Sequence, residues 1–474
     1  MLMLPTCAVL IATAFTAAVL FPCLFSCLLE SILHHITSGL LFGVSLFRIL
    51  TLAIVLYNHR GVYPFLVDCL TDYLDFGTVP QDAGNVDERQ AQIEEWLRDQ
   101  RSIITFQFAG STKSKDDHLI LRARANLGVR QAFGIENSLT TTSPEAHRAF
   151  LSLASSHVNE RTRDWTKLYK TAKTFLEGEI ATALGAGQHI QLAECIQCAC
   201  LTVVLLDNFA VDPAALPRQS LVIIASEINK QWLKSKSKTP GVILNKSHLL
   251  DETISALRLI HSKSPHALLL PQYVLGVIMP QYETLWRVVL LAFVTAYHRQ
   301  PNPALAQRVA NVPGCLGKPA QEKEALKVAK ESLRLYPSNK RIYRCTSFSS
   351  TTTTTTTTAA TVKADVETCH RSPMIWGQDS LRFRPERFDS LTEQQREAYF
   401  PYSLRPHRCP AFSGFGDRMV TMLVVVLGRC LGPEVGKVRF GGGDALLLLL
   451  DADGEMPLPT GRDEVEGWSL ELGR

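Results

Sequence analysis

The spacing of apolar residues predicts a mainly helical fold. Apolar positions recur every three or four residues in "RDWTKLYKTAKTFLEGEIATAL" (163–184) and "LVIIASEINKQWLK" (221–234), and a long apolar run from Ala267 to His298 predicts a further helix. Ser143 before Pro144 is typical of a helix start, because serine caps and proline fits the first turn. Strand-like segments are short and late, such as "GKVRFGG" and "ALLLLLDAD". These patterns predict a mainly α fold with small β-sheets.

The amino-terminal residues 1–57 are apolar enough to anchor the chain in a membrane. Met1 to Leu29 carries no charged side chain, and a bilayer core needs only about 20 apolar helical residues. A second run, Ser38 to Tyr57, contains Arg48, which is costly in lipid, so the anchor has one span or two. A cleaved signal peptide is the alternative, but the positive segment typical of one is absent.

Charge and length indicate the membrane orientation, the number of domains and the class of partner. Positive side chains follow the first apolar run, which predicts that the part after it stays cytosolic, whereas a second span would reverse the orientation. The 474 residues suit two to four domains or one large enzyme core. The net charge of +4 is small and its cations are scattered, so we exclude nucleic acid as a partner.

Two composition features are interpreted as structural. Residues 347–361 contain eight consecutive threonines and are predicted to be a disordered insertion. The twelve cysteines are irregularly spaced. Cys195, Cys198 and Cys200 lie close together but lack a second CxxC or a nearby histidine for zinc, so we interpret them as reduced core residues.

Three motifs in the last third of the chain carry candidate chemistry. In "ESLRLYP", Glu331 and Arg334 are three residues apart, so they share one helix face. "FRPERF" follows with Arg387. "PYSLRPHRCPAF" then places Cys409 among Arg405, His407 and Arg408, cations that lower a thiol pKa. The first pair alone is an ordinary helix ion pair.

The order of these motifs resembles the signature of the cytochrome P450 family of haem-thiolate monooxygenases, in its membrane-bound eukaryotic, fungal-like branch. The resemblance runs from about Leu275 to the carboxyl end and implies one large catalytic domain, residues 58–474, behind the anchor. It implies that Glu331, Arg334 and Arg387 form a buried charge triad. It also implies that Cys409 is the axial thiolate of haem b, the ligand that favours O–O cleavage.

The cysteine loop departs from the family pattern. Arg405 and Ala411 replace two glycines, which elsewhere allow positive φ or close approach to the ring. His407 replaces an arginine that meets a haem propionate, and Arg408 or an arginine of "KRIYR", Arg341 or Arg344, is expected to share that task. The family also brings a residue from an earlier helix to a propionate, and "SPEAHRAFLSLA" offers two candidates, His147 and Arg148.

The helix over the distal haem face is predicted from "GVIMPQYETLWR". By resemblance, Glu283 and Thr284 match the acid and threonine that manage protons for bound oxygen. Pro280 replaces a small residue, and a proline inside a helix removes one backbone hydrogen bond and forces a kink. The alternative is that Glu283 and Arg287 form a plain surface pair.

The resemblance implies a monooxygenase that inserts one atom of O2 into a lipophilic small molecule. Its electrons would come from NADPH-cytochrome P450 reductase, and its place would be the endoplasmic reticulum membrane, in contact with lipid, with a cytosolic catalytic domain. Two alternatives stay open. The first is a degenerate P450-like protein that binds haem or is merely structural, and the second is isomerase or dehydratase chemistry on the same haem.

Overall fold

The structure is a computed structural model. It describes residues 86–108, 114–159, 163–187, 189–236, 253, 255–257, 271–299, 319–346, 361–441 and 456–473. All of them belong to one compact unit, Gly77–Arg474. The predicted anchor at 1–57, the threonine-rich residues 347–360 and the strand-like "ALLLLLDAD" lie outside the described residues, whereas Thr361 begins a strand.

Seven helices form the first half of the described chain. They are α1 (Val86–Thr105), α2 (Lys115–Ala125), α3 (Leu127–Phe133), α4 (Pro144–His157), α5 (Trp165–Ala186), α6 (Leu192–Phe209) and α7 (Arg218–Lys236). Ser143 caps α4 by accepting a hydrogen bond from the Ala146 amide, with Pro144 in the first turn, which confirms the predicted start. Gly187, at φ 117°, ends α5 in the left-handed region that glycine tolerates best.

The second half adds seven more helices, and three short 3₁₀ turns occur along the described chain. The helices are α8 (Pro271–Phe293, continued by a π-helical turn, Val294–Arg299), α9 (Pro319–Leu335), α10 (Val366–Arg371), α11 (Pro373–Trp376), α12 (Glu393–Ala398), α13 (Phe415–Leu431) and α14 (Arg462–Val465). The 3₁₀ turns are Pro213–Ala215, Pro385–Asp389 and Pro410–Ser413.

Two small antiparallel sheets complete the described fold. Their strands are β1 (His189–Gln191), β2 (Arg341–Cys345), β3 (Thr361–Asp365), β4 (Gly436–Arg439) and β5 (Ser469–Leu472). One sheet has the order β1-β5-β4, and β2 pairs with β3 so that Arg341 faces Asp365. The predicted class, mainly helical with small sheets, is confirmed.

Helices α6, α8 and α13 form the centre of the main hydrophobic core. Cys195, Cys198 and Cys200 of α6 are fully buried, and burial raises their pKa, that of Cys198 to about 12. Among the described residues, no cluster of histidine, cysteine and acidic side chains could hold a metal ion. The three thiols therefore pack as small apolar residues.

Two described helices are long and apolar enough to cross a membrane, Leu192–Phe209 and Tyr273–Arg299. Their most apolar stretches are 89% and 83% buried by the surrounding protein. Because the protein itself covers them, their apolar character is accounted for by the core.

Candidate functional site

The predicted site residues converge on one cavity of about 320 Å³. Its walls come from α2, α4, α7, α8, β2 and the cysteine loop before α13. The predicted residues that line it are Cys409, His407, Arg408, Arg344, His147, Glu283 and Thr284. Many of the other lining side chains are aliphatic or aromatic, as is usual for a pocket that takes an organic ligand.

The cysteine loop is held in place by hydrogen bonds at both ends. The Cys409 amide donates to the Tyr402 carbonyl over 2.9 Å, and the Tyr402 hydroxyl donates to Asp417 of α13 over 2.7 Å. Positive φ occurs at Ser403 (62°) and Gly414 (111°), whereas Arg405 and Ala411 have no positive φ. The two residues that replace glycines are therefore free of left-handed strain.

Cys409 is exposed and lines the cavity. Desolvation by neighbouring protein atoms raises the pKa of its thiol, while the Ala411 amide and the positive charge of Arg122 act in the opposite direction. Arg408 lies over the Phe412 ring at 4.5 Å. The cation that acts on the thiol is thus Arg122 of α2, not the three neighbours in the loop that the sequence suggested.

Arg122 and His407 connect α2 to the cysteine loop. An Arg122 Nη1 donates to the Ser138 carbonyl over 2.8 Å and lies 3.4 Å from His407 Nδ1. Because arginine can only donate, Nδ1 accepts and the ring hydrogen of neutral His407 is on Nε2. The His147 ring packs edge-on against His407 with 5.6 Å between ring centres.

Arg344 of β2 extends this group. It is 4% exposed, lies 4.6 Å over the Phe106 ring, and donates to the Tyr343 and Ile104 carbonyls. We call Arg122, His147, Arg344 and His407 the donor cluster. Among the described residues, no carboxylate lies within ion-pair distance of Arg122 or Arg344.

Burial disfavours the positively charged forms of the side chains in the donor cluster. It lowers the pKa of Arg344 to about 9, of Arg122 to about 10 and of His407 to about 2, and it also lowers the pKa of His147. The neighbouring cations add to the shift at Arg344, His147 and His407. Both histidines are therefore neutral at pH 7.

Three buried nitrogen atoms of the donor cluster have no hydrogen-bond partner in the described part of the chain: His147 Nδ1, Arg344 Nε and His407 Nε2. Buried polar atoms in proteins are nearly always paired, and carboxylates are strong acceptors for arginine. Arg344 Nε and His407 Nε2 carry hydrogens. A porphyrin with two propionates beside a cysteine would accept hydrogen bonds from them, so the residues present fit haem.

The sequence prediction missed Arg122 and included Arg148. Arg148 is 68% exposed and pairs with Glu145 over 3.2 Å on the solvated face of α4, so only His147 of the predicted pair lines the cavity. We correct the Arg148 assignment accordingly. The available signal for Arg122 was its place in α2 beside buried Leu121 and Ala123, which carries no specific motif.

Pro280 of α8 removes one backbone donor, and a side chain from elsewhere replaces it. The amide absent at position 280 would have bonded the Gly276 carbonyl, four residues earlier. Asn137 Nδ2 donates to that carbonyl over 3.1 Å. The Thr284 hydroxyl donates to the Pro280 carbonyl over 2.7 Å. The proline is thus accommodated, and Thr284 lines the cavity.

Glu283 does not form the surface pair that the sequence offered as an alternative. Glu283 is 1% exposed and its ion-pair partner is Arg462 of α14. Arg287 is also buried and donates to three carbonyls, those of Pro337, Ser338 and Thr460. Burial raises the pKa of Glu283, and Arg462 and Arg287 partly offset that rise.

The predicted charge triad is assembled away from the cavity lining. Arg334 Nε and Nη2 each donate to a Glu331 oxygen over 2.8 Å, and both side chains are fully buried. Arg387 Nε lies 3.6 Å from Glu331 Oε1. The Arg384 amide donates to the same oxygen over 2.9 Å. We call Glu331, Arg334 and Arg387 the triad.

The remaining nitrogens of the triad bind main-chain and acidic oxygens. Arg334 Nη1 donates to the His370 carbonyl over 2.7 Å. Arg387 donates to the Trp376 carbonyl and to Asp379. The triad therefore ties α9 to α10, α11 and the 3₁₀ turn at Pro385–Asp389.

Comparison with known proteins agrees with this geometry. No family model matches the chain. It is 37% identical over 86 residues to cytochrome P450 CYP13A3 and 34% identical over 89 residues to cytochrome P450 CYP13A1, both from Caenorhabditis elegans. The matched segment is thus similar in sequence to cytochrome P450 proteins. The match covers 17% of this chain and 16% and 17% of the two relatives, so the chain spans about one sixth of the length of the curated relatives it matches.

Solved cytochrome P450 structures align with more of the length of this chain. They include a variant of cytochrome P450 OleT in complex with arachidonic acid, at TM-score 0.49 and 14% identity over 74% of this chain and 82% of that one. Cytochrome P450SP alpha in complex with (R)-ibuprophen aligns at TM-score 0.48 and 14% identity, over 73% and 84% of the two chains.

Proposed function

We propose that this protein is a cytochrome P450, a haem-thiolate monooxygenase that inserts one atom of O2 into a lipophilic small molecule. The observation that supports this most directly is the cavity that Cys409 shares with Thr284 and the donor cluster. A thiol that could bind iron, a hydroxyl that could exchange protons and unpaired donors suited to propionates thus line one cavity. The family relationship of the matched segment supports the same chemistry.

Haem b, when bound, supplies the redox and oxygen chemistry, and a thiolate ligand favours O–O cleavage. In this proposal Cys409 holds the iron and the donor cluster holds the propionates. The Thr284 hydroxyl donates its hydrogen to the Pro280 carbonyl. Its oxygen lone pairs can still accept a hydrogen bond from a proton donor. The apolar cavity wall excludes water and binds the substrate.

We further propose that NADPH-cytochrome P450 reductase supplies the electrons and that residues 1–57 anchor the protein in the endoplasmic reticulum membrane, with the catalytic domain cytosolic. The uncharged run from Met1 to Leu29 supports the anchor. Detergent-free fractionation of full-length protein and of a variant without residues 1–57 tests it, and equal release of both into the soluble fraction would contradict it.

The ligand assignment is tested by the absorption spectrum of reduced protein with carbon monoxide. The expected result is the red-shifted Soret band of thiolate-ligated haem, absent in Cys409→Ser. Cys430→Ser is the matched control, because Cys430 is a free, buried cysteine of α13 outside the cavity lining. A normal band in Cys409→Ser, or no haem uptake by the wild-type protein, would refute the proposal.

A second candidate, haem binding without turnover, is favoured by one observation. Gln281, beside Thr284 on the cavity wall, stands where the family has a small residue, and its amide pairs reciprocally with Asn208 at 2.9 and 3.0 Å. NADPH consumption with reductase and a panel of lipophilic substrates separates the two candidates. A normal spectrum without turnover on every substrate would favour this second candidate.

A further inference from the structure

A second charged group lies on the cavity wall and contains none of the donor cluster. Trp232 and Lys236, both on α7, line the cavity, as does Glu283 on α8. The Lys236 Nζ lies 4.6 Å from the centre of the Trp232 ring, and the Arg462 guanidinium lies 5.4 Å from the same ring. Two cations thus form cation–π contacts with the same indole ring.

The charges of this group do not balance. Glu283 is its only carboxylate in the described part of the chain, and its ion pair is with Arg462. Arg287, next to them, already donates to three carbonyls. Lys236 forms no ion pair with any described residue, and its contact is the Trp232 ring. Two of the three cations, Lys236 and Arg287, are therefore without an ion-paired carboxylate among the described residues, and only Arg287 has carbonyl acceptors instead.

Lys236 is exposed, lines the cavity and lies in an electrostatically unfavourable place. Neighbouring protein atoms partly desolvate its ammonium group, and this desolvation lowers its pKa. Arg462 lowers that pKa further, while Glu283 partly offsets the shift. A ligand anion would supply the missing partner. An ammonium group in a site with little water attracts a carboxylate more strongly than an ammonium group in bulk water does.

We propose that the substrate is an amphiphile with a carboxylate end, which Lys236 binds while the apolar part lies along the aliphatic wall of the cavity. This rests on the proposed function, because it names the substrate class of the same site. A neutral hydrocarbon would leave Lys236 unpaired, and a cationic amphiphile would be repelled by Lys236 and Arg462. The aliphatic wall includes Val277 and Leu285.

The experiment is equilibrium dialysis of dodecanoic acid and of 1-dodecanol against full-length, haem-loaded protein at pH 7.5. Hydrogen bonds to charged groups contribute about 1.5 to 3 kcal/mol, so the acid should bind roughly tenfold or more tightly than the alcohol. Lys236→Met should remove this preference and leave the affinity for the alcohol unchanged. Lys236→Arg should retain it.

Lys234→Met is the matched control, because Lys234 is exposed on the same last turn of α7 and does not line the cavity. It should retain the wild-type preference. Equal affinity for acid and alcohol in the wild-type protein, failure of both to bind, or a preference that survives Lys236→Met would each overturn the proposal.

Dialysis separates this inference from the proposed function. A carbon monoxide spectrum of thiolate-ligated haem without any preference for the acid would refute the carboxylate substrate alone. A preference for the acid that depends on Lys236, in protein whose spectrum lacks the thiolate band, would refute the monooxygenase and support the carboxylate site.

Discussion

The triad and the donor cluster are both rich in buried arginine, but they differ in how the charge is compensated. In the triad, Glu331 accepts two hydrogen bonds from Arg334 and lies 3.6 Å from Arg387. In the donor cluster, Arg122 and Arg344 have only carbonyl, histidine and ring partners among the described residues. The charges of the triad have their partners within the chain, whereas the donor cluster has hydrogen-bond donors that remain available for a ligand.

This difference indicates that the two groups have different tasks. Burying a charge costs several kcal/mol unless a partner compensates it. The triad recovers that cost within the chain, so it stabilises the fold. The donor cluster recovers it only when an anion binds, so its arginines reduce the stability of the ligand-free protein and increase its affinity for an acidic cofactor.

Removing the triad carboxylate should have the largest effect on stability. Glu331→Ala leaves Arg334 buried without its partner, and breaking a buried pair costs about 3 to 5 kcal/mol. The measurement is the free energy of unfolding from urea denaturation. Lys323→Ala, at an exposed position of α9, is the control and should change little. A loss below about 1 kcal/mol in Glu331→Ala would show that the triad does not stabilise the fold.

Removing an arginine of the donor cluster should instead weaken haem binding. Arg122→Gln deletes a charge-assisted contact worth about 1.5 to 3 kcal/mol, so haem affinity should fall roughly ten- to hundredfold. The stability of the haem-free protein should not fall, because a partly buried cation without a carboxylate partner among the described residues is removed. Haem titration and urea denaturation measure the two quantities.

The control for that prediction is Arg124→Gln, an exposed residue of the same helix, which should bind haem as the wild type does. If Arg122→Gln destabilises the haem-free protein as Glu331→Ala does, the two groups have the same task and the comparison is wrong.

A smaller effect is expected from His370, whose carbonyl accepts from Arg334 and whose ring Nε2 accepts from the Phe400 amide. Burial, with Arg334 next, lowers the pKa of His370 to about 3. The unfolded chain takes up a proton below about pH 6.5 and the folded one does not, so stability is lost as the pH falls from there towards 3. About 1 to 2 kcal/mol should be lost between pH 6.5 and 5.

His370→Gln isolates this contribution, since glutamine can still accept a hydrogen bond but does not titrate. Its free energy of unfolding should vary less between pH 6.5 and 5 than that of the wild type. Parallel pH profiles would show that His370 does not cause the acid sensitivity.

Local spacing predicted the contact between Glu331 and Arg334, whereas Arg387, the third member of the triad, came from the family pattern. Glu331 and Arg334 are three residues apart on one helix, so their contact follows from helix geometry alone. Cys409 and Thr284 were found through the family pattern, and the structure brings both to one cavity. Most of the class of fold followed from the apolar spacing, because buried helices such as α6 and α8 require it.

The partners of these residues could not be predicted, because they come from distant parts of the chain. Arg122 and His407 are 285 positions apart. Glu283 pairs with Arg462 of α14 rather than with Arg287, the partner that helix spacing offers. A solvated face and a cavity-facing one also look alike in sequence, which is why Arg148 and His147 were predicted together although only His147 lines the cavity.

The Asn137 side chain, which bonds the Gly276 carbonyl in place of the amide that Pro280 lacks, couples two distant positions of the chain. An ordinary residue at 280 would regain an amide hydrogen and compete with Asn137 for the same oxygen. Conversely, an apolar residue at 137 would leave that oxygen buried without a donor as long as the proline is present. Positions 137 and 280 are therefore expected to change together, and the loop between α3 and α4 constrains which sequences α8 can adopt.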